Sequence, residues 1–270
     1  MADGTVTETG SARIGAAFDA ANGTALMPYL MGGFPDRETA TAIANAYADA
    51  GADLIELGVP FSDPLADGPT IHSADTAALA AGATLESVLE TCEAVADRMP
   101  VALMVYANMV LARGVEEFAS QAAVAGAAGV IVPDLPLEEQ GAVAGSLGER
   151  GLALIPLIAP TTPAARRAEI CESAQGFVYL VSTVGVTGER EQLPAELTDL
   201  VASAKQEASV PVAVGFGIST PKQAARVGEV ADGVIIGTRL VRAVADAPDR
   251  AGAVAAVTDF LRDTRAALGR

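Results

Sequence analysis

Eight short apolar runs recur along the chain, roughly 30 residues apart on average, and this rhythm constrains the fold more than any other feature. Ala-rich segments with apolar residues at helical spacing, such as RETATAIANAYADAGA, separate the runs. Strands that alternate with helices predict a parallel sheet, and nearly continuous apolar strands are typical of sheets covered on both faces. The runs are ALMPYLM, DLIELGV, VALMVYA, GVIVPD, LALIPLI, FVYLVST, PVAVGFG and GVIIGT.

The number of runs favours a closed barrel over a doubly wound open sheet. Eight is the strand number of the TIM barrel, and no GxGxxG turn follows the first run. The segment SARIGAAFDAA predicts an extra N-terminal helix, and residues 1–10 are expected to be unstructured. Because no linker or charge block interrupts the series, we predict one α/β domain, a TIM (β/α)8 barrel over residues 1–270.

Composition excludes several classes of partner. Asp and Glu outnumber Lys and Arg 34 to 17, which argues against nucleic acid and anionic membranes. The start of the chain lacks a signal-peptide pattern, and the longest apolar stretches are shorter than the ~18 residues that span a bilayer. Cys92 and Cys171 form no CxxC pair and are too few for a disulfide framework. A cytoplasmic protein without a metal site is therefore expected.

Glu56 is the most unusual residue, because it lies inside the apolar run DLIELGV. Side chains alternate along a strand, so Ile55 and Leu57 share one face and Glu56 the other. If the Ile/Leu face meets the helices, Glu56 points into the barrel, where burial raises the pKa of a carboxyl and lets it carry a proton near neutral pH. The alternative is a structural Glu whose charge is met by an arginine or a backbone amide.

The loop PFSDPLADGP follows this strand and carries Asp63 and Asp67 among three prolines. Loop aspartates usually cap helices or form Asx turns. Here Thr70 is the expected cap of the next helix, which leaves Asp67 free to face the barrel mouth. Because proline fixes φ, the loop is expected to hold a carboxylate in place.

Glycine-rich turns after the late strands predict a phosphate site. GFGIST follows the seventh run, Gly237-Thr238 ends the eighth, and VGVTGER after the sixth is long enough to close over the mouth. Each glycine taken alone is compatible with an ordinary tight turn. Four aromatic residues near strand ends also suggest a flat apolar ligand, although each is compatible with a core position: Tyr29, Tyr106, Tyr179 and Phe216.

In this order, LIELGVPFSDPLADGPTI, YAN, STVGVTG, GFGIS and IIGT resemble the tryptophan synthase α subunit family over essentially the whole chain. The resemblance implies a barrel that cleaves indole-3-glycerol phosphate to indole and glyceraldehyde 3-phosphate. It further implies an α2β2 complex with a β subunit that carries pyridoxal phosphate and receives the indole. No cofactor is expected in this chain.

Carried over by position, the resemblance makes Glu56 and Asp67 the catalytic carboxyls, with Thr187 on the closing loop. It also implies a set of substrate contacts and a set of contacts with the partner subunit. The substrate contacts are expected from Tyr29, Tyr106, Tyr179, Thr187, Gly188, Phe216, Gly217, Gly237 and Thr238. The partner interface is expected to include Asp63, Asn108 and Asp134, with Asp63 relaying the state of the partner to the site.

The chain departs from the family pattern in three places. Residues 182–185 read STVG where members often carry Ser-Arg-Ala-Gly, and residues 31–33 read MGG where others have Thr-Leu-Gly. His72 stands where glutamine is frequent and is expected to have no catalytic role. Two other functions stay open: a lyase that acts without a partner, and a non-catalytic activator of a β subunit. The presence of both carboxyls argues against the second.

Overall fold

The strands of the chain form one parallel sheet that curls into a nearly closed barrel. The computed structural model describes residues 8–181, 195–215 and 217–269. Within these residues the sheet order is β5-β4-β3-β2-β1-β9-β8-β7-β6, and every pairing is parallel. The TIM barrel is thus confirmed. The strands are β1 Ala25–Met31, β2 Ile55–Gly58, β3 Val101–Met104, β4 Gly129–Ile131, β5 Ala153–Ile155, β6 Leu157–Ile158, β7 Val178–Val181, β8 Val212–Gly215 and β9 Gly233–Ile236.

Pro156 explains why eight apolar runs give nine strands. It divides the run LALIPLI into β5, which pairs with β4, and β6, which pairs with β7. Proline has no N–H to donate to a neighbouring strand. Its carbonyl still accepts the Tyr179 N–H at 2.9 Å. The chain through Pro156 therefore joins the two ends of the sheet.

Helices surround the barrel, and three connections among the described residues hold two α-helices where a minimal (β/α)8 unit has one. These lie between β2 and β3, between β3 and β4, and after β9. A short 3₁₀ helix, Leu137–Glu139, precedes α7. The helices are α1 Gly10–Ala20, α2 Arg37–Asp49, α3 Pro69–Ala80, α4 Leu85–Ala96, α5 Ala107–Arg113, α6 Val115–Val124, α7 Gly141–Glu149, α8 Ala164–Glu172, α9 Ala195–Glu207, α10 Pro221–Gly228, α11 Thr238–Ala245 and α12 Arg250–Ala267.

Helix α1 fills the amino-terminal end of the barrel. Ile14 and Phe18 of α1 belong to the same buried cluster as the barrel interior, and the Phe18 ring lies 5.9 Å from that of Phe177. The predicted extra helix is therefore present. The expectation that residues 1–10 are unstructured is wrong for its last two residues, because Thr9 caps the helix and the buried Gly10 begins it. Residues 1–7 lie outside the described residues.

A second and larger apolar cluster lies between the strands and the outer helices. Both cysteines are buried there as free thiols. Across the described ranges, no helix has the length and apolarity that a bilayer span needs. The same ranges contain no group of three or more His, Cys, Asp or Glu side chains arranged to hold a metal ion.

Candidate active site

Glu56 lies inside the barrel, as the alternation along β2 predicts. Ile55 and Leu57 pack against the helices, whereas Leu54 belongs to the interior cluster. Glu56 is 1% exposed, and neither of its carboxyl oxygens has a hydrogen-bond partner among the described residues. Burial, with a smaller contribution from the charge of Asp67, raises the pKa of Glu56 to about 8. Among the described residues, no arginine side chain and no backbone N–H therefore pairs with the Glu56 carboxyl.

Two tyrosines flank Glu56, and strand-end glycines give them room. Tyr29 on β1 pairs in register with Glu56, and Tyr179 on β7 lies near enough to oppose part of the rise in its pKa. A Cβ atom at Gly58 would collide with the Tyr29 hydroxyl, and one at Gly215 would collide with the Tyr179 ring. Glycine at these two strand ends thus lets both phenol rings lie across the barrel mouth.

Residues 60–68, in the loop between β2 and α3, form the acidic loop. Asp67 in this loop accepts a hydrogen bond from the Tyr106 hydroxyl at 3.0 Å, and that hydroxyl accepts the Ala66 N–H at 3.0 Å. Burial raises the pKa of Asp67, while the Tyr106 bond and then the nearby His72 act in the opposite direction. The structure therefore places Tyr106 behind Asp67, where it fixes the carboxyl from the protein side.

The expected cap at Thr70 is wrong. Helix α3 begins at Pro69, with Gly68 as N-cap and no side-chain cap from the described residues. Proline suits the first helical position because its missing N–H would have no partner there, and the dipeptide Gly-Pro was the signal for this start. The Thr70 hydroxyl instead meets the Arg242 guanidinium at 3.4 Å. Asp67 is nonetheless free of any capping role, as expected.

A cavity of about 600 Å³ opens at the carboxyl ends of the strands. Glu56 and Asp67 both line it, together with Tyr29 and Tyr179. Its volume lies within the ordinary range for small-molecule sites. Its remaining apolar wall, which suits a flat ring, includes Ile71, Met104, Leu157, Val181, Ile218 and Ile235.

Part of the cavity wall is a backbone cradle. Gly217, whose φ of 78° favours glycine, and Gly237-Thr238 line it. Helix α11 begins at Thr238, and no side chain of the described chain caps it at Gly237. Its first N–H groups and the positive end of its dipole are therefore available to an anion.

Two arginines that sequence reasoning missed also line the cavity. Arg239 and Arg242 both belong to α11. The Arg239 guanidinium lies 5.0 Å from the centre of the Phe260 ring, and Arg242 reaches Thr70. Both arginines lie just after the glycine turn that predicts a phosphate site, and this position could have identified them as cavity residues.

The other predicted residues occupy several places. Asp63, Asn108 and Asp134 are exposed in or near the segments that follow β2, β3 and β4, and Asp134 accepts the Ala107 N–H at 2.8 Å. His72 is exposed on α3. Thr187, Gly188 and Phe216 lie outside the described residues, as do the departures at residues 182–185.

A barrel with paired carboxyls and an anion cradle at the carboxyl ends of its strands defines the chain as a TIM-barrel enzyme. A family model described as tryptophan synthase alpha chain matches residues 16–267. The chain therefore belongs to the tryptophan synthase alpha chain family, whose enzyme class is the lyases and whose role lies in tryptophan biosynthesis.

Individual relatives agree with this family. The chain is 50% identical over 226 residues to a tryptophan synthase alpha chain of Prochlorococcus marinus, covering 83% of this chain and 82% of the relative. It is 44% identical over 247 residues to that of Trichormus variabilis, covering 90% and 92%. Among solved structures, a tryptophan synthase of M. tuberculosis in an open form with BRD0059 bound matches with a TM-score of 0.85 at 35% identity, covering 94% and 98%. The alpha subunit of Legionella pneumophila str. Paris matches with a TM-score of 0.87 at 35% identity, covering 97% and 99%.

Proposed function

We propose that this cavity binds indole-3-glycerol phosphate and that Glu56 and Asp67 catalyse its cleavage to indole and glyceraldehyde 3-phosphate. The observation that carries the proposal is the pair of carboxyls in one cavity with different surroundings. Glu56 is buried and neither of its oxygens has a hydrogen bond within the described part of the chain, whereas Asp67 is partly exposed and hydrogen-bonded. Environments that differ in this way let one carboxyl keep its proton while its neighbour is ionised.

Glu56 acts first as an acid and then as a base. With a pKa of about 8 it carries a proton at neutral pH, and it gives this proton to C3 of the indole ring. The resulting carboxylate accepts the proton of the glycerol hydroxyl on the adjacent carbon as the carbon–carbon bond breaks. The aldehyde and free indole form, and Glu56 regains its proton. The Tyr179 hydroxyl favours the ionised form of Glu56 that exists between the two transfers.

Asp67 stabilises the charge that develops on the ring. When C3 takes up a proton, the indole nitrogen becomes cationic, and a carboxylate that accepts its N–H lowers the energy of that intermediate. The Tyr106 hydroxyl donates to Asp67 and so favours its ionised form. Tyr106, held by the Ala66 N–H, also keeps the carboxyl pointed into the cavity.

The phosphate group of the substrate is placed in the backbone cradle. Gly217, Gly237 and Thr238 line the end of the cavity where α11 begins, and a dianion there meets N–H groups and the helix dipole. Arg239 and Arg242 add positive charge at the same end. This matters because the chain has a net charge of −17 and two carboxyls line the same cavity.

The partner is a β subunit that carries pyridoxal phosphate and receives indole in an α2β2 complex. The surface proposed for it is the carboxyl end of the barrel around Asp63, Asn108 and Asp134. Leu65 in the acidic loop and Leu111 on α5 are 89% and 62% exposed there, as expected of side chains that a partner covers. We place the complex in the cytoplasm, where free thiols such as those of Cys92 and Cys171 persist.

One assay tests this function against a partner-independent lyase and a non-catalytic activator. Indole release from indole-3-glycerol phosphate is measured with and without an added β subunit. We expect slow release by the chain alone and faster release in the complex. Strong release that the β subunit leaves unchanged would identify a partner-independent lyase. No release under either condition would identify an activator only.

Asp67→Asn is expected to lower kcat for indole release by about 100-fold, with KM within about threefold of wild type, since it removes the countercharge of the indole cation. The amide keeps the size of the side chain. Asp97→Asn is the matched control, because Asp97 is exposed at the end of α4, away from the cavity. Equal kcat for Asp67→Asn and Asp97→Asn would contradict the role of Asp67.

A further inference from the structure

A third carboxyl, Asp75, lies buried next to the site and takes no part in the chemistry proposed for Glu56 and Asp67. It belongs to α3 and is 1% exposed. One carboxyl oxygen accepts the Phe61 N–H at 3.0 Å, while the other has no hydrogen-bond partner among the described residues. A buried carboxylate with an unpaired oxygen is costly, so the position needs an explanation beyond packing.

Asp75 is joined to Asp67 by a short chain of contacts. Phe61, whose N–H it binds, stacks its ring on Tyr106 at 5.2 Å between ring centres and an angle of 29°. Tyr106 in turn donates to Asp67 and accepts from Ala66. The start of the acidic loop is thus fixed by Asp75, and its end is fixed by Tyr106.

The groups that face Asp75 include no cation within the described chain. Its electrostatic neighbours are Asp67 in the acidic loop, Tyr29 on β1 and Tyr106 at the start of α5. Helix α11 packs on α3, but its Arg242 meets Thr70 instead. His72 on α3 is exposed and acts on Asp67. Ionisation of Asp75 would therefore add an unpaired negative charge close to Asp67.

We propose that Asp75 is a positioning residue whose neutral form holds the acidic loop in the arrangement that presents Asp67, and whose ionisation disturbs it. The proposal rests on the proposed function, because it assigns Asp75 an effect through Asp67. The neutral form keeps the bond to the Phe61 N–H without repelling Asp67. The ionised form draws water to its unpaired oxygen and repels the Asp67 carboxylate.

The pKa of Asp75 agrees with a role in positioning the acidic loop. Burial raises the pKa of Asp75 to about 7, opposed by the Phe61 N–H and increased further by the charge of Asp67. Glu56 must also be protonated to act, and its pKa is about 8. The alkaline side of the pH profile of kcat/KM should therefore contain two ionisations, of which the lower belongs to Asp75.

Asp75→Asn removes the ionisation of Asp75 and leaves that of Glu56. It keeps the acceptor for the Phe61 N–H but cannot ionise, so activity at pH 6 should stay within about twofold of wild type. The half-maximal pH of the alkaline limb should rise from about 7 towards about 8. Full-length chains are assayed with saturating β subunit, and Asp259→Asn on the exposed face of α12 is the control.

Asp75→Leu removes the acceptor while keeping the branching and the number of heavy atoms of the side chain. At pH 6 it should lower kcat about tenfold with little change in KM, because the substrate still binds but Asp67 is misplaced. If this variant does not fold, the pH profile of Asp75→Asn alone decides. A profile of Asp75→Asn that superimposes on wild type would overturn the proposal, as would full activity of folded Asp75→Leu. Failure of the proposed function appears separately, as an Asp67→Asn variant with wild-type activity.

Discussion

Glu56→Gln is expected to lower kcat for indole release by about 1,000-fold and to leave KM within about threefold of wild type. The loss is large because one carboxyl serves both proton transfers, and general acid–base catalysis contributes roughly 100- to 10,000-fold for a positioned group. KM changes little because glutamine preserves the shape of the cavity wall. Steady-state indole release at pH 7 measures both constants.

Glu116→Gln is the matched control for this change. Glu116 lies in the exposed first turn of α6, so the same loss of a carboxyl should leave kcat unaltered. A Glu56→Gln variant that retains more than about a tenth of wild-type kcat would show that another group supplies the proton. The mechanism given above would then be wrong, even if Asp67→Asn behaves as expected.

Glu56→Gln is also expected to have a large effect on the free energy of unfolding. The unfolded chain holds Glu56 near its ordinary pKa of 4.5, whereas the folded chain raises it to about 8. Below pH 4.5 both states are protonated and no penalty arises. As pH rises from 4.5 to 8 the unfolded state ionises first, so the folded state loses stability across this window. Because glutamine cannot ionise, the Glu56→Gln variant does not lose stability in this way.

We therefore expect the free energy of unfolding of Glu56→Gln to rise relative to wild type by roughly 3 kcal/mol between pH 5 and pH 8. Chemical denaturation of both proteins at the two pH values gives this difference. Asp75 titrates in both proteins, so its contribution largely cancels. Parallel pH dependences for the two proteins would mean that Glu56 is not desolvated in the folded state.

The sequence was sufficient to predict the barrel and the position of Glu56. Strand alternation places Leu54 inside and Ile55 and Leu57 outside, as the two buried clusters show. Such inferences succeed because they depend on local periodicity. The break at Pro156 was also readable in principle, since proline cannot donate to a sheet.

Contacts between distant segments could not be predicted from local periodicity. The position of Tyr106 behind Asp67 depends on how a loop of one βα unit meets the next unit, which periodicity does not encode. Asp75 is an intermediate case. It lies four residues after Ile71 and three before Ala78, both buried, so helical spacing placed it on the apolar face of α3. Its partner, the Phe61 N–H, could be found only in three dimensions.

Helix α1 fills the amino-terminal end of the barrel, and this limits the direction in which indole can leave. Ile14 and Phe18 occupy the amino-terminal end, so a molecule held in the cavity meets packed side chains on that side. The cavity opens at the carboxyl end, where the acidic loop carries the exposed Leu65. A β subunit docked on that end would therefore lie directly on the path by which indole leaves.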